Sequence, residues 1–190
     1  MPNWCYNDLI VKGTPDEVQR FMQENRGYPA DYSKTVTADK SVEPRFCFNA
    51  LVPTPQSVVE LGYDAHIEIQ KIAAEQGEGA VAGMIDGYHW NRENWGTKWD
   101  IYGERSEFTE TVVQEDADTK TLRLSFDTAN SPPIPWLVAV AAMFPTLCLA
   151  LRFAEPNMNL AGDVVCTGND VQIDHHPYWT EDLEESEASA

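Results

Sequence analysis

The chain opens on a run in which large apolar side chains alternate with polar ones, Trp4-Cys5-Tyr6-Asn7-Asp8-Leu9-Ile10-Val11-Lys12, closed by Gly13. Alternation with aromatic and β-branched residues predicts a first strand. The period then changes. Val18, Phe21 and Met22 recur at i, i+3 and i+4 behind Thr14, Pro15 and Glu17. That order of N-cap, first-turn proline and capping-box glutamate predicts a helix with one apolar stripe, ended by Asn25-Arg26-Gly27. Residues 28–42 show no period and read as a long loop. Arg45–Leu51 reads as a second strand, stopped by Val52-Pro53-Thr54-Pro55.

From Gln56 to about Asn94 the pattern is helical. Ile67, Ile69, Ile72 and Ala73 predict one helix ended by Gly77 or Gly79, and Val81, Met84, Ile85, Tyr88 and His89 predict another. Phe108–Gln114 and Thr121–Phe126 alternate on either side of Asp116-Ala117-Asp118, which predicts a hairpin. Ser131-Pro132-Pro133 leads into an apolar helix that runs to Phe144. Leu147–Phe153 and Ala161–Thr167 are two further strands. The sum is α+β, a ferredoxin-like sandwich with helices on one face of a mostly antiparallel sheet and a helical insertion at about 56–95. Residues 1–170 read as one domain, and 171–190 as an extended peripheral segment with an acidic, disordered tail.

Charge sharpens this picture. Over 190 residues, 31 Asp and Glu stand against 13 Lys and Arg, a net charge of −18. Glu181–Ala190 carries five of those acids and no base, so the rest of the chain is still at −13. Direct nucleic-acid binding is disfavoured, because phosphate neutralisation needs clustered bases. A protein partner with a basic surface fits better, although a solvated acidic surface also serves solubility alone. No apolar run approaches the roughly 20 residues of a membrane span, and the first residues lack a secretory pattern, so the expected location is the cytoplasm. Cys5, Cys47, Cys148 and Cys166 are widely spaced and lie in apolar or alternating stretches, which fits buried reduced thiols.

Two stretches stand out chemically. In Asn94-Trp95-Gly96-Thr97-Lys98-Trp99-Asp100 an extended chain would aim Lys98 and Asp100 to one side. With His89, Asn94, Trp95 and Trp99 they could line a pocket for a planar or charged ligand. Equally, the tryptophans could anchor the core, leaving Lys98 and Asp100 as a surface ion pair. The second stretch holds seven acids, Asp100, Glu104, Glu107, Glu110, Glu115, Asp116 and Asp118, against one base, Arg105. On a hairpin these form either an acidic ridge for a basic partner or an ordinary solvated face. His175-His176 would point opposite ways on an extended segment, and no third ligand lies nearby, so no metal site is expected. Phosphate-binding glycine loops and nucleophile signatures are absent, and neither a catalytic residue nor a cofactor is expected. The oligomeric state is not legible.

Met1-Pro2-Asn3-Trp4-Cys5-Tyr6-Asn7 with Leu9–Gly13, the Leu51-Val52-Pro53-Thr54-Pro55 segment, and Asn94–Asp100 together resemble the YubB-like proteins of phages and plasmids. The resemblance spans most of residues 1–155. It implies a ferredoxin-like domain and a mobile-element origin, with no reaction and no catalytic residues to carry over. Accessory proteins of that kind often bind host factors, so the expectation is a non-catalytic binder that modulates or inhibits a host protein, such as a nucleic-acid-binding defence protein met by a DNA-like acidic surface.

Overall fold

A computed structural model of the chain describes residues 3–32, 43–101 and 108–176. Strand β1 (Trp4–Gly13) leads into helix α1 (Pro15–Glu24). Thr14 caps that helix by accepting the Glu17 amide, as the capping signature predicts. A two-residue ladder follows between β2 (Arg26–Gly27) and β3 (Arg45–Phe46). Then come short helices α2 (Phe48–Leu51) and α3 (Gln56–Leu61), helix α4 (His66–Gln76), a single 3₁₀ turn at Glu78–Val81, and α5 (Gly87–Asn94). The second half is β4 (Thr109–Glu115), β5 (Lys120–Ala129), α6 (Ile134–Met143), β6 (Cys148–Glu155), β7 (Leu160–Thr167) and β8 (Asp170–His176).

Six strands form one sheet in the order β4-β5-β1-β6-β7-β8, with every pairing antiparallel. Strand β1 lies between β5 and β6, so β1-α1-β4-β5-α6-β6 is the split arrangement of a ferredoxin-like sandwich. Strands β7 and β8 extend it as a meander. Residues 170–176, read from the sequence as a peripheral extended segment, are thus a full edge strand paired to β7.

One face of the sheet is apolar and covered. Cys5, Leu9 and Val11 of β1, Leu122, Leu124 and Phe126 of β5, Leu149, Leu151 and Phe153 of β6, and Val164 and Cys166 of β7 are all buried. The stripe of α1 (Val18, Phe21, Met22) and Trp136, Leu137, Val140 and Ala141 of α6 complete this core. Each Val, Leu, Phe or Met side chain among them contributes roughly 1.5–3 kcal/mol by leaving water. No helix among the described residues is long and apolar enough to cross a membrane.

Two local expectations fail for tertiary reasons. Of Arg45–Leu51 only Arg45–Phe46 is strand: after Phe46 the chain turns into α2, which puts Phe48 into an aromatic cluster with Trp136 (ring centroids 4.8 Å apart) and Trp95 (6.1 Å). Residues 95–100 are not a strand either. Gly96 takes φ +86°, and the segment runs as a series of bends. In the insertion, the helix expected around Val81–His89 begins only at Gly87, after the 3₁₀ turn.

Candidate functional site

The Asn94–Asp100 segment is built as a junction. Trp95 is buried, and its indole N–H donates to the Val52 carbonyl (2.8 Å). A side chain on Gly96 would run into Pro135 Cδ at 2.5 Å and the Pro132 carbonyl at 2.8 Å, so the backbone can seat against the start of α6 only as glycine. Thr97 is buried and donates its hydroxyl to the Ala129 carbonyl (3.0 Å) at the end of β5. The Lys98 carbonyl accepts from Asn91 Nδ2 (2.8 Å) and from the Tyr63 hydroxyl (3.2 Å), both in the insertion.

Asp100 completes the junction. Its carboxylate accepts the amides of Phe48 (2.6 Å) and Asn49 (3.0 Å), which open α2, and the amide of Ile101 (2.7 Å). It therefore caps a helix that has no side-chain cap of its own. Burial away from water outweighs these three amides and raises its pKa from 3.8 to about 6.

The six residues proposed to share a pocket go to different destinations. Trp95 and Asp100 are committed as above. Asn94 donates back to the Trp90 carbonyl of its own helix (2.9 Å). His89 places Nδ1 2.6 Å from Asp86, whose buried carboxylate also caps α5. Lys98 is half-buried, with Nζ 5.8 Å from the centre of the Tyr88 ring, while Trp99 is 42% exposed. Lys98 and Asp100 do not form a surface ion pair, because the Asp100 carboxylate faces the α2 amides.

The acidic stretch likewise divides. Asp100 is withdrawn as a cap. Glu104 and Glu107 lie outside the described residues. Glu110 is exposed on β4, 3.9 Å from Arg26, and Glu115 pairs with Lys120 (2.9 Å). Asp116 organises the hairpin turn by accepting the amides of Asp118 (3.0 Å) and Thr119 (2.9 Å), which lowers its pKa, and Asp118 is exposed beside it. His175 and His176 alternate as expected: His175 stacks edge-on to Phe153 (5.6 Å), and His176 sits 3.8 Å from Asp163.

The other face of the sheet carries residues that the linear sequence does not single out. In β1 the side chains that alternate with the buried set are Tyr6, Asp8 and Ile10, and Tyr6 is 55% exposed in the middle of the sheet. Tyr6 stands opposite Asp127 of β5 and Ala154 of β6, and Asp8 stands opposite Ser125 and Arg152. These residues line a shallow hollow of about 390 Å³. A second one, of about 220 Å³, continues from Asp8 past Ile10 and Arg123 to Asp163 and Val165. Asp8 accepts from the Ser125 hydroxyl, and Arg152 pairs with Asp163 at 3.0 Å. The polar half of the alternation in β1 was the available signal.

Residues 98–190 match the family described as the ferredoxin-like domain in Api92-like protein. The match starts within the junction, at Lys98. A crystal structure of a protein api92 from Yersinia pseudotuberculosis is similar along 95% of this chain and 99% of its own, with a TM-score of 0.61 and 11% identity. At that identity the likeness is one of fold, and it agrees with the ferredoxin-like architecture. No curated protein matches the sequence. The finer likeness to YubB-like proteins rests on the sequence motifs alone.

Proposed function

We propose that this chain is a non-catalytic binding protein that modulates or inhibits a host factor with a basic surface. In this reading it is an accessory product of a phage or plasmid working in the cytoplasm of a bacterial host. Its target is a nucleic-acid-binding defence protein whose phosphate-reading site an acidic surface occupies. One observation carries the proposal: among the described residues helices cover a single face of the six-stranded sheet, while the opposite face carries Asp8, Asp127, Asp163 and Asp174 around an exposed tyrosine. The net charge of −18 supports the same polarity of partner.

Such an interface is steered by charge and weakens with salt. The test is affinity capture from bacterial lysate with the whole chain as bait, at roughly 0.05 M and 0.5 M salt. A stoichiometric basic partner retained at low salt and released at high salt is expected. Absence of such a partner at low salt, or capture indifferent to salt, would reject the proposal.

A further inference from the structure

Resting on that reading, we infer that the hollow around Tyr6 is where a basic partner makes its central contact, and that it takes an arginine side chain. Three features of the open face lead there. Tyr6 presents an aromatic surface, 55% exposed, on a central strand where only Lys12 is otherwise exposed. Asp127 lies directly across from it on β5, about 5 Å away by strand spacing, and Asp8 lies two residues along the same strand, about 7 Å away. On the other side the floor drops to Ala154 and then to buried Ala161, side chains too small to fill the space. A flat cation can therefore lie on the ring while its N–H groups reach the carboxylates. Guanidinium, planar and forked, fits that requirement better than ammonium.

The charges around the hollow favour the same occupant. Arg152 is the cation on its rim, and it is held by Asp163 at 3.0 Å, with His176 3.8 Å from the same carboxylate. Along the two hollows Asp8, Asp127 and Asp163 stand against Arg152 and Arg123, and Asp174 stands opposite Asp163 on β8. An exposed aromatic on an open sheet is also a platform on which nucleic-acid bases stack. Here Asp8, Asp127, Asp163 and Asp174 outnumber Arg123 and Arg152, which sets the polarity against that ligand.

The experiment titrates the isotopically labelled whole chain with a hexa-arginine peptide, a hexa-lysine peptide and an oligothymidylate at low salt, reading amide shifts. The expected result is shifts centred on Tyr6, Asp8, Asp127 and Ala154, with tighter binding of hexa-arginine than of hexa-lysine. Tyr6→Leu should weaken hexa-arginine about fivefold, as loss of a cation–π contact would. Asp127→Asn should weaken it about tenfold, as loss of a charge-assisted pair would. Both positions lie on the open face, and a thermal melt of each variant reports folding. A Glu115→Gln/Asp118→Asn double variant at the hairpin should leave affinity unchanged. Hexa-arginine binding with shifts at the hairpin, or with affinity untouched by Tyr6→Leu and Asp127→Asn, overturns the inference but leaves the binding proposal standing. Preferential binding of oligothymidylate, or no binding of hexa-arginine, overturns the inference too, and the lysate capture then decides the broader proposal independently.

Discussion

Asp100 makes a prediction with a definite sign. Its carboxylate is buried against the amides of Phe48, Asn49 and Ile101, and its pKa rises from 3.8 in the free side chain to about 6. A folded-state value above the unfolded one means that the folded protein binds the proton more tightly. The contribution of this group to stability is then fully present below pH 3.8 and lost as pH rises to about 6. At 1.36 kcal/mol per pH unit the whole loss is about 3 kcal/mol. About half of it falls between pH 5 and 7.5, away from the sequence pI of 4.4. Asp100→Asn keeps the shape and one carbonyl acceptor but cannot ionise. Urea unfolding of both proteins, followed by tryptophan fluorescence, should show the wild type losing about 1 kcal/mol relative to the variant from pH 5 to 7.5. Groups that titrate independently of Asp100 cancel in that difference, and Cys47 and Tyr32, which feel its charge, are both shifted upward. A wild type that instead gains on the variant as pH rises would mean that the three amides outweigh desolvation, and the reasoning would be refuted.

The junction and the thiols supply two more tests. Gly96→Ala places a Cβ at φ +86° within 2.5 Å of Pro135 and should destabilise the protein by about 3 kcal/mol or more, read from the urea midpoint; a change below about 1 kcal/mol would show that the junction yields. Burial pushes the Cys5 and Cys47 thiols up to about 12, so at pH 8 a thiol reagent should modify half-buried Cys148 well before either, with all four reacting in urea; Cys5 or Cys47 keeping pace with Cys148 in the native protein would contradict their placement.

What could be read from sequence was whatever local chemistry decides. Thr14, Pro15 and Glu17 specify the start of α1 whatever the rest of the chain does, and Asp116 sets the hairpin turn through its own neighbours. Arg45–Leu51 was misread because its fate depends on Asp100, about fifty residues on, whose carboxylate takes the two amides that begin α2. The Trp95–Asp100 segment left two readings open in the sequence, and buried Trp95 fits the core-anchor one. Its polar groups look available in a linear sequence, yet the fold uses them to fasten the insertion to β5 and α2. The open face was latent in the alternation of β1. Its meaning emerged only when Asp127, Ala154 and Arg152 were brought beside Tyr6 and Asp8 from distant strands.

The central position of β1 bears on how the chain reaches this state. Trp4 pairs with Ala129 and Gly13 with Lys120, more than a hundred residues apart, and Tyr6 also pairs with Ala154. On a ribosome the first strand emerges early and waits through the whole insertion before either flanking strand exists. Its alternating apolar edge stays unpaired for that time, and loop closure over such a span slows the search. The hairpin of β4 and β5 and the meander from β6 to β8 can form earlier from near neighbours, as two separate halves. The sheet closes only when β1 slots between them, so the longest loop closures of this sheet fall to β1.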